Sequence, residues 1–175
     1  MLLEPVRIVA DWLVDASYGV DALATVMEVD AGDSQPGAVV VGDETRSGRV
    51  ARGELPKPTS SASNLIAVTS GGSGVRFDGG VLTTIRDGQM PILIKIGTPN
   101  VASDEGTRDG LYLARAVFQS LKILAQSDHS DDRTRNNIHI KDASDLSITG
   151  VFQAIEDSTV TCVVQVTYNV RDLTP

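Results

Sequence analysis

Between Pro5 and Val14 the apolar residues recur at helical intervals, with Val6, Val9, Ala10, Leu13 and Val14 on one face. Pro5 is well placed as the first helical residue, where a missing N–H costs nothing, and Gly19 reads as the stop. A second apolar segment, Val20 to Val29, has Asp21 as a cap and Ala22, Leu23, Val26 and Met27 as its buried side; its type stays open. Residues Asp104 to Gln126 carry the best helical pattern in the chain. Ser103 and Asp104 can cap it, and acids near its start suit the positive end of the helix dipole. Leu113, Val117, Leu121 and Leu124 form its stripe, broadened by Ala114 and Phe118. Gly110 weakens the helix by about 1 kcal/mol relative to Ala.

Elsewhere the period falls to two. Val160, Cys162, Val164, Val166, Tyr168 and Val170 alternate with polar residues, Val163 excepted, which predicts a long strand with one buried face. Each inward side chain contributes about 1.5–3 kcal/mol. Ile148 to Ile155 precedes it across Glu156-Asp157-Ser158, giving an antiparallel hairpin. Ile138 and Ile140 predict one short strand, Leu65 to Thr69 a buried one, and Gly37 to Val41 another. Val81, Thr83 and Ile85, followed by Ile92, Ile94 and Ile96, read as a second hairpin with its turn at Asp87-Gly88. Pro91 then marks the start of its second strand or an edge position. Ser127 to Asn137 reads as a polar loop.

Helix, strands, helix, strands, without β-α-β alternation, predict an α+β fold. The expected architecture is a mainly antiparallel β-sheet flanked by two principal helices, as one domain over residues 1–175. Between Gly42 and Ser63 apolar residues nearly vanish, and so long an irregular loop is unusual inside a compact domain. Within it Arg46, Arg49 and Arg52 stand three apart, bounded by Glu44 and Glu54. They fit a solvated loop, or an arm that docks on an acidic neighbour such as the next subunit; they are the candidate interface residues.

Composition narrows the function classes. Aromatic residues are 4% of the chain, so the core must be mostly aliphatic, with Trp12, Phe118, Phe152 and Tyr168 as its large pieces. The formal net charge of −8 repels phosphates on average and argues against a nucleic-acid binder. One cysteine, Cys162, excludes an internal disulfide. The start Met1-Leu2-Leu3-Glu4-Pro5 has no signal-peptide pattern, and no apolar run reaches the roughly 20 residues of a membrane span. The expectation is a soluble protein of intracellular origin.

Catalytic signatures fail at particular positions. Gly72-Ser73-Gly74 starts like a dinucleotide fingerprint, but Phe77 stands where its third Gly must allow close packing. No Gly-Lys-Ser or Gly-Lys-Thr supplies a phosphate-binding lysine. Gly71-Gly72-Ser73-Gly74-Val75 misses the nucleophile elbow by its last residue. His129, His139 and Cys162 are the soft or imidazole ligands available to a metal. Asp128, Ser130, Asp131 and Asp132 resemble a calcium loop whose required Gly is Arg133. Asp104/Glu105 and Asp142/Asp145 fit capping and turn formation. The expectation is no enzyme, no metal and no cofactor.

Four segments carry a resemblance: Val6-Arg7-Ile8-Val9-Ala10-Asp11-Trp12-Leu13; the stretch Gly53-Glu54-Leu55-Pro56-Lys57-Pro58 leading into Asn64-Leu65-Ile66-Ala67-Val68; Leu111-Tyr112-Leu113-Ala114-Arg115-Ala116-Val117; and the ending Val164-Gln165-Val166-Thr167-Tyr168-Asn169-Val170-Arg171-Asp172. In order and texture the chain resembles the tail terminator and neck (head–tail joining) proteins of long-tailed bacteriophages. The resemblance implies an antiparallel sheet flanked by helices. It also implies a virion protein assembled in the host cytoplasm as a homo-oligomeric ring of about six copies, a hexamer, which caps the tail tube and joins it to the head connector. The long 42–63 segment departs from the compact version of that group. Two other classes stay open: an adaptor or binding module using the Arg46, Arg49 and Arg52 loop, and a small hydrolase using Ser73 or the loop acids.

Overall fold

Two 14-residue strands, Arg86–Pro99 and Thr159–Asp172, pair antiparallel along their whole length and form the spine of the computed structural model. The structure describes residues 4–36, 50–52, 64–70, 76–78, 86–99, 105–140, 146–156 and 159–173. In chain order the strands are β1 (Val50–Arg52), β2 (Leu65–Ser70), β3 (Arg76–Asp78), β4 (Arg86–Pro99), β5 (Thr134–Arg135), β6 (Ile138–Ile140), β7 (Leu146–Glu156) and β8 (Thr159–Asp172). The helices are α1 (Glu4–Leu13), α2 (Val20–Val26) and α3 (Glu105–Leu124). The fold is α+β, and among the described residues only the β1–β2 pairing is parallel.

The sheet runs β1-β2-β4-β8-β6-β5, with β3 on the free length of β4 and β7 on that of β8. Alternation fixes which residues share a face. Val68, Ile94 and Val164 form one row across three strands, and Ile66, Ile96 and Cys162 the next. All six are buried, and Leu113, Val117, Leu121 and Leu124 of α3 complete the same core. Thr98 ties sheet to helix, its hydroxyl donating 2.7 Å to the carbonyl of Gly106 in the first turn of α3.

The long terminal strand, its hairpin with β7, the strands β2 and β6, and the helices α1 and α3 all match the sequence reading. Other details differ. Asp87-Gly88 is no turn: both residues lie inside β4, with Gly88 buried between the register partners Phe77 of β3 and Val170 of β8. A glycine there marks close packing within a strand. Pro91 neither starts a strand nor lies in an edge strand. It sits mid-β4, between the stretch that pairs with β3 up to Gln89 and the stretch that pairs with β2 from Ile92. A residue without an N–H is tolerated where a ladder changes partner.

The first helix ends at Leu13, so Val14 is exposed rather than part of the buried face. Gly19 opens α2 instead of closing α1. A Cβ at Gly19 would stand 2.4 Å from the Asp15 carbonyl oxygen, so only glycine allows that approach. In α2 the buried residues are Val20 and Ala24, with Met27 just beyond, whereas Val26 is 77% exposed. The polar stretch from Ser127 is structured. Two 3-10 turns, Ser127–His129 and Asp131–Arg133, lead into the β5–β6 hairpin. Its turn residues Asn136 and Asn137 have φ of 47° and 66°, the left-handed pair that a tight two-residue hairpin demands and asparagine tolerates. The strand expected at Gly37 to Val41, the residues Val81 to Ile85, the glycine turn 71–74 and the caps Ser103 and Asp104 lie outside the described residues.

Candidate functional site

Where α1 ends, three rings meet. Trp12 stacks on Tyr18 with centroids 5.7 Å apart, and the His129 imidazole sets its edge against both at 4.9 and 5.0 Å. The cluster is fastened to α3: the Trp12 indole N–H donates to the Ser120 carbonyl at 2.8 Å, and the Ser120 hydroxyl donates to the Tyr18 carbonyl at 2.7 Å. Asp15 orders the turn between α1 and α2, its Oδ1 accepting the N–H groups of Ser17 and Tyr18 at 2.8 Å. His129 Nδ1 lies 2.9 Å from Asp132 Oδ2. The result is a corner with exposed Val14 and Tyr18 beside Asp15, Asp128, Asp131 and Asp132.

Beside this corner a cleft of about 320 Å³ is lined by Asp11, Trp12, Asp131, Asp132, Thr134 and Arg135, among others. Arg135 ion-pairs with buried Glu4 at 3.1 Å and with Asp11, and Glu4 also accepts from Arg7 at 2.7 Å. These pairs weld the hairpin to α1. Thr134 Oγ1 lies 2.8 Å from His139 Nδ1, across the β5–β6 register. A nucleophile relay puts one imidazole between a hydroxyl and a carboxylate. Here the Asp132 carboxylate lies at His129 and the Thr134 hydroxyl at His139.

Arg133 was invisible to pattern reading. Only 1% exposed, it donates to the carbonyls of Ile140 at 3.1 Å and Leu124 at 2.8 Å, and also to that of Gln126. Leu124 is the last residue of α3, so a buried cation closes the negative end of that helix dipole while joining it to β6. The side chain that stands at the glycine position of the calcium-loop likeness thus turns inward as a structural cap.

The outer face of α3 differs in kind. Leu111 is 48% and Phe118 41% exposed, and with Ala114, Arg115, Gln119 and Lys122 they line a groove of about 440 Å³. At 100° per residue, positions 111, 115, 118 and 122 fall within about 60° of one another on the helix wheel. They form one stripe that pairs two apolar side chains with two cations. Phe118 was expected in the core; it fails because the buried arc is already filled by Leu113, Val117, Leu121 and Leu124.

On the flank of α3 nearer α2, the segment after that helix is pinned down. The Tyr112 hydroxyl donates to Asp33 at 2.6 Å and accepts from the Asp30 N–H at 2.9 Å, and Arg108 ion-pairs with Asp33 at 3.1 Å. The hydrogen bond to Asp33 raises the Tyr112 phenol above its ordinary range, since giving up that proton would break the bond. Cys162 is a buried free thiol pushed up by desolvation, as its place in the row with Ile96 requires. Burial likewise pushes up the Tyr168 phenol, whose oxygen finds no hydrogen-bond partner among the described residues.

Of the candidate interface residues, Arg52 closes β1 opposite Val68 of β2, while Arg46 and Arg49 lie outside the described residues, as do Ser73, Asp104, Asp142 and Asp145. Among the described residues no group of three or more His, Cys, Asp or Glu is arranged to hold a metal ion. No described helix is long and apolar enough to cross a membrane. A helix wheel drawn over 105–124 could have isolated Leu111 and Phe118 in advance, whereas nothing in the sequence flags the Trp12–Tyr18–His129 corner. The chain matches no protein-family model, and no curated protein is similar to it at a significant level.

Proposed function

We propose that this protein is a structural assembly subunit: a ring-forming tail terminator or neck protein of a tailed bacteriophage, which caps the tail tube and joins it to the head connector. The observation that carries the assembly part of this reading is the outer face of α3. An aromatic and a leucine held open on a rigid 20-residue helix, over a groove of about 440 Å³, have the character of a protein-binding surface. The phage part rests on the resemblance, whose implied architecture, an antiparallel sheet flanked by helices, agrees with the fold observed here. A sheet built on two 14-residue strands is stiff enough to hold a lumen open, and a net charge of −8 suits a conduit on which DNA must not stick.

The partners on this reading are further copies of the same chain, about six in a closed ring, together with tail-tube and connector proteins. Gel filtration with in-line light scattering tests it, on the protein alone and after incubation with purified tail tubes. The expected result is a discrete oligomer, or one that forms on the tube ends and stays with them. A monomer that elutes apart from the tubes at every concentration would remove the reading.

A further inference from the structure

Two exposed surfaces of this chain are complementary in charge and both carry apolar side chains. The α3 stripe presents Leu111 and Phe118 with Arg115 and Lys122. The corner beyond α1 presents Val14 and Tyr18 with Asp15, Asp128, Asp131 and Asp132. We infer that the α3 groove of one copy receives the Val14/Tyr18 corner of the next, so that copies associate head to tail. The inference rests on the ring-subunit reading, to which it adds the two faces that meet.

Three observations argue for this occupant. First, the chain carries a formal net charge of −8, whereas the groove is lined by Lys122 and by Arg115, which also donates to the Glu28 carbonyl at 3.1 Å, with no acid in its lining; such a groove suits an acidic partner, and the corner of a second copy is one. Second, the alternative of a two-fold contact between α3 stripes sets like charges together. Each stripe brings two cations and no acid in its lining, so four cations would share such a contact. Such a contact is disfavoured. Third, the surfaces point apart. The corner hangs on Ser120, whose hydroxyl holds the Tyr18 carbonyl at 2.7 Å, and Ser120 is two residues, about 200° of helix rotation, from Phe118. Opposed donor and acceptor faces on one rigid body make a heterologous contact, the kind that closes into a ring when its rotation allows.

Charge reversal tests the pairing. Arg115→Glu/Lys122→Glu leaves groove and corner both acidic, and Asp128→Lys/Asp131→Lys removes the corner's net acidity by setting two lysines against Asp15 and Asp132. All four side chains are exposed, and the reversals give up only the surface hydrogen bond from Arg115 to the Glu28 carbonyl among those that tie α3 to the rest of the fold, so circular dichroism is expected to match the parent and the melting temperature to stay close to it. Sedimentation velocity is expected to show each reversed variant alone as a monomer under conditions where the parent is oligomeric. An equimolar mixture is expected to regain the parent's sedimentation coefficient, because the corner variant's basic groove fits the groove variant's acidic corner and the two new lysines meet the two new glutamates. If the parent oligomerises and either variant still does so alone, this pairing of faces is wrong while the ring reading stands. Loss of assembly in the groove variant alone, with the corner variant unaffected, indicates a two-fold α3 contact and also overturns the inference, as does a mixture that stays monomeric. A monomeric parent, alone and on tail tubes, overturns the ring reading itself.

Discussion

Leu121 and Phe118 stand three residues apart on α3, yet the first is completely buried while 41% of the second meets solvent. The helix is apolar on two sides. Its inner arc of Leu113, Val117, Leu121 and Leu124 lies against β4 and β8, where aliphatic rows interlock and every methyl group has neighbours. The outer stripe, Leu111 and Phe118, has a groove in front of it and two cations beside it. The inner arc is there for the fold, whereas the outer one contributes less to it and, on the proposed reading, meets a partner. Substitutions on the two sides should therefore separate stability from assembly.

Leu121→Ala is expected to have the largest effect on stability. It opens a cavity at a fully buried site and should lower the unfolding free energy by about 3 kcal/mol, read from urea melts, while whatever remains folded still assembles. A loss below about 1 kcal/mol would mean that the inner arc is not the core described here. Arg133→Met comes next. It strands the carbonyls of Leu124 and Ile140 without their charged donor, at a cost of about 2–3 kcal/mol, and should fray the end of α3 in hydrogen exchange.

Tyr168→Phe is a smaller change with a defined sign. Removing a buried hydroxyl that has no partner among the described residues should leave stability unchanged or raise it by up to about 1 kcal/mol at neutral pH. Burial holds the Tyr168 phenol above its usual value of 10.0, so as pH rises the unfolded chain loses that proton first. The parent's stability is thus intact below about pH 10 and falls above it, and the variant lacks this share of the fall. Melting temperatures of parent and variant should diverge between pH 9 and 11 (roughly the tyrosine titration range); parallel curves would contradict the buried phenol. Phe118→Ser, on the open stripe, should lower stability by only about 1–2 kcal/mol, for the part of the ring the fold covers, and yet abolish the oligomer in light scattering.

The sequence made the terminal strand of the spine legible because its alternation is regular: Cys162 to Val170 could face only one way. It misread the β4 region because Asp-Gly signals a turn only when no neighbouring strand claims both residues, and β3 and β8 do claim them. A spacing of four from Ala114 suggests that Phe118 broadens the buried stripe, whereas the angle around the axis sets it only about 20° from Leu111, on the open side. The corner at Trp12, Tyr18 and His129 joins residues more than 100 apart in the chain, and the buried Arg133 depends on carbonyl geometry. Neither leaves a local pattern to read. The arginines of the 42–63 segment that stand out in the sequence, Arg46 and Arg49, lie outside the described residues.

The claim that this chain is built to assemble is tested most directly by negative-stain electron microscopy of the purified protein with tail-tube ends present. The account predicts round particles with a central hole, alone or seated on the tubes, that vanish in Phe118→Ser while the variant stays folded. Compact single-subunit particles, with bare tube ends, would contradict it.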